Sequence, residues 1–383
     1  MILDVSVYLI VFMITAFMAA LFQRYSDCLV LKTGWSVISF KGPVMHSLLG
    51  CCFLFPIIAM YGLRYGIGGD YFNYERIYDI LRDVSFDDYW LGHSEGIGAY
   101  YVEPFYYLLN IIMPSYIALQ WSLVVIMCIL LCLALRQYHG RISYAYALFI
   151  FLSTQFLYSM NAVRFSIALC FLLHSYISLA KGYDLRFFLF IVLASLFHTS
   201  ALFCLPLYFL REYKHEIINK IRNAIIAFFI LLFPILTQYL FDIAMNLSVF
   251  ARYFATSVYS ISTETEGGVM WMIHIIPVVI PLFIFCRKEI FSAPDSCTYF
   301  RICLMEIPFR MLGHYNTWFT RYTRCSQIIL MVFIPLVLSR IGNKQKRIIL
   351  SIYYVAWYIF YFGYYAIVND QGCSLPYTWI FSQ

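Results

Sequence analysis

Residues 115–135 read SYIALQWSLVVIMCILLCLAL, a run of 21 residues without a charged side chain. At about 1.5 Å per residue, an α-helix of this length crosses the roughly 30 Å hydrocarbon core of a bilayer. The run lacks the strict alternation of polar and apolar residues that a strand of a membrane β-barrel would show. This stretch therefore predicts a transmembrane α-helix.

The same pattern recurs along the chain. Of the 383 residues, 63% are hydrophobic and 12% are charged, a composition typical of a protein whose solvent is mostly lipid. We predict an all-α polytopic membrane protein that forms a single transmembrane domain over residues 1–383, with the lipid bilayer and not nucleic acid as its partner. Ten crossings are expected near residues 5–22, 43–62, 115–135, 143–160, 162–180, 223–241, 268–286, 297–314, 322–340 and 347–366.

Residues 187–210 form a further apolar segment of a different kind. Basic residues precede it (Lys181 and Arg186) and follow it (Arg211 and Lys214), so both of its ends are expected on the same side of the membrane. About 24 residues reach only about 36 Å as a helix, which is too short for two crossings. The segment therefore predicts a re-entrant helical pair with its turn at residues 196–200, for a total of 10–12 helical segments.

The distribution of charge predicts the orientation of the chain. Residues 64–103 are the one long polar stretch and contain eight of the 20 carboxylates. When alternate loops are grouped, eighteen of the 26 lysines and arginines fall on one side, and this side is predicted to be the cytoplasm. Residues 64–103 then form a large extracytoplasmic loop. All the remaining basic residues are arginines.

Three of these arginines are candidate ligands of a phosphate group, because a guanidinium presents a planar fork of donors that matches phosphate oxygens. Asn161 and Arg164 lie three residues apart at a predicted helix start and are expected to share a face. Arg321 and Arg324 repeat this spacing, and two cations one turn apart favour an anion between them. Ionisable side chains inside a membrane are functional candidates by default. Structural pairing with carboxylates is the alternative role.

His198 lies at the predicted turn of the hairpin. A neutral imidazole in a polar cavity is suited to act as a general base near neutral pH, whereas a core histidine bonded to a backbone carbonyl is the structural alternative. The 12 cysteines lie mostly in apolar runs and show no Cys-x-x-Cys or Cys/His spacing. We therefore expect no metal site and no cofactor.

Residues 64–74, RYGIGGDYFNY, resemble the Arg-x-x-x-Gly-x-Asp-Tyr-x-x-Tyr signature of EpsG-type polysaccharide polymerases, which belong with the Wzy-type O-antigen and capsule polymerases. Three further features follow in the order of that pattern: Asn161-x-x-Arg164 at a helix start, the sequence FHTSA at 197–201, and Arg321 followed by a helix and a basic turn. The resemblance covers essentially the whole chain. Gly69 departs from it, since many relatives carry a small polar residue there.

The resemblance implies a metal-independent glycosyltransferase with a GT-C-like membrane fold. Such a protein is a multi-pass component of the bacterial cytoplasmic (inner) membrane, with its active site facing the periplasm. Its donor and its acceptor would both be oligosaccharide repeat units on undecaprenyl diphosphate, joined into O-antigen or into capsular or exopolysaccharide. A chain-length regulator and a flippase are the protein partners that the resemblance implies.

A mechanism follows from this resemblance. His198, or failing it Asp70, would remove the proton of the acceptor hydroxyl. Arg164, Arg321 and Arg324 would stabilise the charge that grows on the departing diphosphate.

The polar loop is expected to have an ordering role. Arg64 and Asp70 would fix the loop over the cavity through an ion pair, with the glycine turn at 66–69 permitting positive φ. Five aromatic residues of the loop are candidates for stacking on sugar rings, with a place in the interfacial aromatic belt as the alternative. These residues are Tyr71, Tyr74, Trp90, Tyr100 and Tyr101.

Two other functions remain open from the sequence. A lipid-linked oligosaccharide flippase would have a similar composition, but the chain shows neither the internal repeats nor the midplane charges typical of transporters. A membrane glycan O-acyltransferase would need a histidine with cytoplasmic access to its acyl donor, whereas the ionisable residues in this chain cluster toward the outer side.

Overall fold

The computed structural model describes residues 2–25, 30–33, 36–39, 42–91, 102–246, 275–315, 320–367 and 373–381. These ranges are helical apart from loops and one antiparallel hairpin, β1 (Val30–Thr33) and β2 (Ser36–Ser39), in which Val30 pairs with Ser39. The predicted all-α polytopic class is confirmed.

The chain divides into two compact units, each of which is described separately below. The first comprises Met1–Ser175, Phe188–Phe203 and Val355–Gln383, and the second comprises Tyr176–Phe187 and Cys204–Tyr354. The prediction of a single transmembrane domain remains a prediction.

The helices of the N-terminal half are α1 (Ile2–Tyr25), α2 (Pro43–Phe53), α3 (Phe55–Gly62), α4 (Tyr71–Arg82), α5 (Phe86–Leu91), α6 (Pro104–Ile112), α7 (Tyr116–Arg136), α8 (Tyr144–Phe151), α9 (Leu157–Asn161), α10 (Val163–Ala180) and α11 (Asp184–Ser195). A π-helical segment, Leu152–Phe156, joins α8 to α9. The chain continues with a 3₁₀-helix (Thr199–Leu210), α12 (Glu216–Asn246), a π-helical segment (Ile275–Val279), α13 (Ile280–Phe291), α14 (Pro294–Leu304), α15 (Glu306–Tyr315), α16 (Thr320–Gln327), α17 (Leu330–Ser339) and α18 (Lys344–Ile367).

Five described segments are long and apolar enough to cross a membrane. They are Val5–Tyr25, Tyr116–Arg136, Val163–Ala180, Arg321–Ser339 and Lys344–Ile367. A sixth is counted if α2 and α3, which are bent by 67° at their junction, form one broken span. Five to six spans among the described residues support the polytopic class, and the count of ten remains a prediction.

Small residues allow the helices of the first unit to approach closely. Gly50 of α2 faces α7, where an added Cβ would collide with the side chain of Cys132. Gly62 at the end of α3 lies against the indole ring of Trp121 in the same way. Helices in lipid associate through such close contacts, because apolar side chains gain little by leaving lipid for one another.

The hairpin predicted for residues 187–210 is present. Helix α11 ends at Ser195, and the 3₁₀-helix that follows the turn begins at Thr199. The two ends of the hairpin meet, because the Tyr208 hydroxyl donates to Asp184 Oδ2 at 3.0 Å and the Arg211 guanidinium also bonds this carboxylate. The returning arm is a 3₁₀-helix, and it contains Pro206, which cannot donate a backbone hydrogen bond.

Candidate functional site

Glu103 is the centre of a buried polar cluster in the first unit. It precedes Pro104 at the N-terminus of α6, and only 5% of the residue is exposed. Its Oε2 accepts a hydrogen bond from Arg164 Nη1 at 2.6 Å, and its Oε1 accepts one from the backbone N–H of Thr199 at 3.1 Å. One carboxylate thus joins the start of α10 to the turn of the hairpin.

Arg164 occupies the first turn of α10, and its side chain is 20% exposed. The guanidinium carbon lies 5.9 Å from the ring centre of Tyr74 and 5.7 Å from that of Tyr106, so two aromatic rings flank the cation. Its buried Nε has no hydrogen-bond partner within the described part of the chain. Since a guanidinium carries five N–H donors and Glu103 engages Nη1, Arg164 retains donors for a second anion.

The turn of the hairpin holds His198 beside this cluster. The Nδ1 atom of His198 lies 2.5 Å from Oγ of Ser200, and the ring meets that of Phe165 edge to face at 5.0 Å. The N–H of Phe105 donates to the carbonyl of Leu196 at 3.0 Å and fixes the turn against α6. If Ser200 accepts the proton of Nδ1, the basic nitrogen of the imidazole is Nε2.

The glycine turn before α4 packs against the end of α9. Gly68 has a φ of +104°, and an added Cβ would lie 2.5 Å from the carbonyl oxygen of Met160, so both its conformation and its surroundings require glycine. The backbone N–H of Asp70 donates to Oδ1 of Asn161 at 3.0 Å. Asn161 therefore holds the turn that presents Asp70, whose side chain is partly exposed.

The expectation that Asn161 and Arg164 share one helical face is wrong. Asn161 ends α9, and the helix is interrupted at Ala162, whose φ and ψ of −95° and 65° are not helical. Arg164 belongs to the next helix, α10. Because the backbone changes direction at this break, Asn161 contacts the glycine turn, whereas Arg164 contacts Glu103.

Arg64 does not form the expected ion pair with Asp70. The residue is 1% exposed, and its guanidinium lies 3.7 Å from the ring centre of Tyr61, whose carbonyl accepts a bond from Nη1 at 3.2 Å. None of the described carboxylates forms a salt bridge with it. The C-terminal segment fixes this region, since Tyr65 N–H donates to the Thr378 carbonyl at 3.0 Å. The buried Arg64 side chain therefore holds the start of the loop through its contacts with Tyr61, and not through an ion pair with Asp70.

Two of the proposed sugar-stacking aromatics are not available for that role. Tyr71 and Tyr74 are both buried, and the ring of Tyr74 contacts the Arg164 guanidinium. The inward face of the amphipathic helix α4 carries these rings, because they are three residues apart. Trp90 is exposed and stacks on Phe86. Tyr100 and Tyr101 lie outside the described residues.

Arg321 and Arg324 belong to the second unit, where both lie on α16, one turn apart as predicted. Arg321 is partly exposed in the first turn, and Arg324 is buried. The guanidinium of Arg324 lies 3.4 Å from Oε1 of Gln327, and Gln327 Nε2 donates to Oε1 of the buried Glu306 at 2.6 Å. Glu306 also pairs with Arg310 at 2.9 Å. Arg324 is thus linked through Gln327 to Glu306 of α15.

Sequence reasoning counted Glu103 only as one carboxylate of the loop and missed its central place. The available signal was its position, since Glu103 is the last acidic residue before an apolar helix and directly precedes a proline. The contact of Phe165 with His198 and that of Tyr106 with Arg164 were missed as well, because only the fold brings these residues together. Within the described ranges, no group of three or more His, Cys, Asp or Glu could hold a metal ion.

These features define a class, an α-helical polytopic membrane protein with a buried arginine–carboxylate cluster beside a histidine turn. A sequence model of the EpsG family matches residues 47–379. The chain belongs to the EpsG family, a family of Wzy-type polysaccharide polymerase-like membrane proteins. No curated protein and no solved structure shows a significant match to it.

Proposed function

We propose that this protein joins oligosaccharide repeat units carried on undecaprenyl diphosphate into O-antigen, capsular polysaccharide or exopolysaccharide, at the outer face of the bacterial cytoplasmic membrane. The growing chain moves from one lipid carrier to a sugar hydroxyl of the next unit. Family membership supports a polysaccharide polymerase in general. The observation that supports the reaction site is the shared carboxylate of Glu103, which holds Arg164 and the turn of His198 together.

Arg164 is the proposed diphosphate ligand of the first unit. With Glu103 bound to Nη1, the resting pair is electrically neutral, which makes a buried guanidinium tolerable before substrate arrives. The guanidinium donors of Arg164 that Glu103 does not engage would bind the oxygens of the leaving diphosphate. Fixed donors in a site of low dielectric favour the transition state, in which the negative charge on the leaving group grows.

His198 is the proposed base. For Nε2 to accept the acceptor proton, Nδ1 must carry its own proton and donate it to Ser200 Oγ, and the 2.5 Å separation allows this bond. The hydroxyl oxygen of the acceptor then attacks the anomeric carbon, and the bond from that carbon to the diphosphate oxygen breaks. Asp70 is the alternative base, and its backbone is held by Asn161.

Arg321 and Arg324 are kept as proposed diphosphate ligands on the strength of their spacing along α16. Arg324 is oriented by Gln327. Arg321, in the first turn, lies where the amide donors and the positive end of a helix dipole favour an anion.

The surface glycan of a deletion strain tests the proposal. Loss of the polymer with retention of a single repeat unit on its final acceptor is expected, because assembly and export of one unit do not need polymerisation. Complementation with the wild-type gene should restore the polymer. Loss of the single unit as well would contradict the proposal and favour the flippase, and an unchanged polymer that lacks acyl groups would favour the O-acyltransferase.

A further inference from the structure

The second unit contains an apolar groove between α13 and α18. Its volume is about 630 Å³, within the range of roughly 300–1,000 Å³ that is usual for ligand sites. Two residues of α13 and five residues of α18 line it, together with one residue of the turn before α18. The lining consists of Pro281, Phe285, Asn343, Gln345, Lys346, Ile349, Leu350 and Tyr353.

The two helices run antiparallel and are joined at both ends of the groove. At one end, Lys346 Nζ lies 3.8 Å from Oε1 of Glu289. At the other, the Tyr353 hydroxyl donates to the Pro277 carbonyl at 2.8 Å. Pro281, four residues after Pro277, has no N–H with which to make an α-helical bond to this carbonyl. These two contacts connect the helices that border the groove.

The wall of the groove is open to the surroundings of the protein. Phe285 is 54% exposed and Ile349 is 66% exposed, although both are large apolar side chains. Helix α18 is one of the segments long and apolar enough to cross a membrane, so lipid is the expected neighbour of these side chains. A backbone kink at Cys286, next to Phe285, interrupts α13 beside the groove.

One end of the groove is strongly basic. Lys346 lines it directly, and the neighbouring ends of α13 and α18 carry four more exposed cations, against the single carboxylate of Glu289. These cations are Arg287, Lys288, Lys344 and Arg347. An apolar channel that ends in a cluster of lysines matches a molecule with a hydrocarbon chain and an anionic head.

We propose that this groove binds one anionic glycerophospholipid, with an acyl chain along Phe285, Ile349 and Tyr353 and its phosphate at Lys346 and Lys344. Basic pockets between transmembrane helices are known places for anionic head groups. A zwitterionic lipid would fill the channel equally well but would gain less from the excess of cations. The site is independent of the polymerase proposal, since it needs neither Arg164 nor His198.

The test is lipid titration of the purified full-length protein, followed by native mass spectrometry. The probes are palmitoyl-oleoyl phosphatidylglycerol and the matching phosphatidylethanolamine. We expect one phosphatidylglycerol to bind more tightly than phosphatidylethanolamine. Because an anionic surface attracts each nearby lysine with about 1 kcal/mol, replacing one lysine should weaken this binding about fivefold. The double variant Lys344→Gln/Lys346→Gln should therefore lose roughly 25-fold.

A second pair of variants tests the channel without changing charge. Ile349→Trp should fill the groove and reduce phosphatidylglycerol binding, whereas Ile352→Trp, at an exposed position of the same helix outside the lining, should not. Lys220→Gln, an exposed lysine of α12 that pairs with Glu216, is the matched charge control. Thermal unfolding of each variant shows whether it is folded.

Three results would overturn the proposal. Equal binding of the two lipids would show that the lysines do not select a charge, and undiminished binding in both the double lysine variant and Ile349→Trp would place the lipid elsewhere. Displacement of phosphatidylglycerol by an equimolar polyprenyl phosphate would assign the groove to the lipid carrier and not to a phospholipid.

Discussion

Glu103 Oε2 and Arg164 Nη1 lie 2.6 Å apart, with 6% of the glutamate side chain and 20% of the arginine side chain exposed. The other oxygen of the same carboxylate accepts the backbone N–H of Thr199. Removing this carboxylate would leave a largely buried cation without its partner and release the turn that carries His198.

Glu103→Gln is expected to destabilise the protein and to abolish long polymer. Removing one partner of a buried ion pair usually costs about 3–5 kcal/mol. We expect a loss near the lower end of this range, about 3 kcal/mol, because the Arg164 side chain is 20% exposed. Thermal unfolding in detergent measures the loss, and the surface glycan reports activity. Asp87→Asn, at an exposed carboxylate of α5, is the control. Wild-type stability and polymer in Glu103→Gln would disprove a central role for this carboxylate.

Arg164→Ala should lower the polymerisation rate by roughly 30- to 1,000-fold, because removal of one donor to the leaving group costs about 2–4 kcal/mol in the transition state. Arg164→Lys should restore only part of the rate, since an ammonium cannot bind two oxygens in the geometry of a guanidinium. Rates are measured on lipid-linked repeat units in reconstituted vesicles, with Arg76→Ala on the exposed face of α4 as control. Full activity of Arg164→Lys would show that charge alone suffices.

The variant His198→Gln distinguishes a role of His198 as general base from a purely structural role. Glutamine keeps the size and the hydrogen bonding of histidine but has no basic nitrogen, so the variant should insert normally and yet form no polymer. Ser200→Ala should reduce activity more mildly, since it only removes the partner of Nδ1. Thr199→Val is the control, because Thr199 contacts Glu103 through its backbone N–H, which valine also has.

An active His198→Gln variant would show that histidine serves through its hydrogen bond alone. Asp70→Asn then becomes the deciding variant, assayed on the same lipid-linked units. If both variants remain active, no side-chain base is needed and the arginines carry the reaction through leaving-group stabilisation.

Gly68→Ala should destabilise the turn before α4 by about 1–3 kcal/mol, the usual cost of a strained backbone conformation, and by more if Met160 cannot move. Gly140→Ala is the matched control, because Gly140 also has a positive φ, of 72°, but has open space where a Cβ would be added. It should lose about 1–2 kcal/mol. Thermal unfolding compares the two, and an equal loss would show that the approach of Met160 is unimportant.

The charge distribution predicts the orientation of the chain. Reporter fusions at Phe86 should report the extracytoplasmic side and fusions at Gln137 and Asn343 the cytoplasm, because the lysine-rich loops remain inside. A further fusion at Ser262, which lies outside the described residues, is expected on the extracytoplasmic side. A cytoplasmic signal at Phe86 would contradict the proposed placement of Arg164 and His198.

The family and the hairpin could both be predicted from local sequence. Long uncharged runs are helical in lipid because the backbone has no other partner there, and the basic flanks of residues 187–210 required a chain that turns back. The contact of Asp184 with Tyr208 and Arg211 confirms that the ends of this segment meet. The order of short motifs indicated the EpsG family before any fold was known.

The sequence by itself thus determined the helical membrane class, the hairpin, and which arginines and histidine are candidates. Only the tertiary structure decided their partners. The break at Ala162 separated Asn161 from Arg164, and burial placed Arg64 against the ring of Tyr61. Glu103 contacts both Arg164, which is 61 positions later in the chain, and Thr199, which is 96 positions later. Helical periodicity relates residues within a few turns, whereas these contacts depend on how separate helices pack, and no local pattern encodes that.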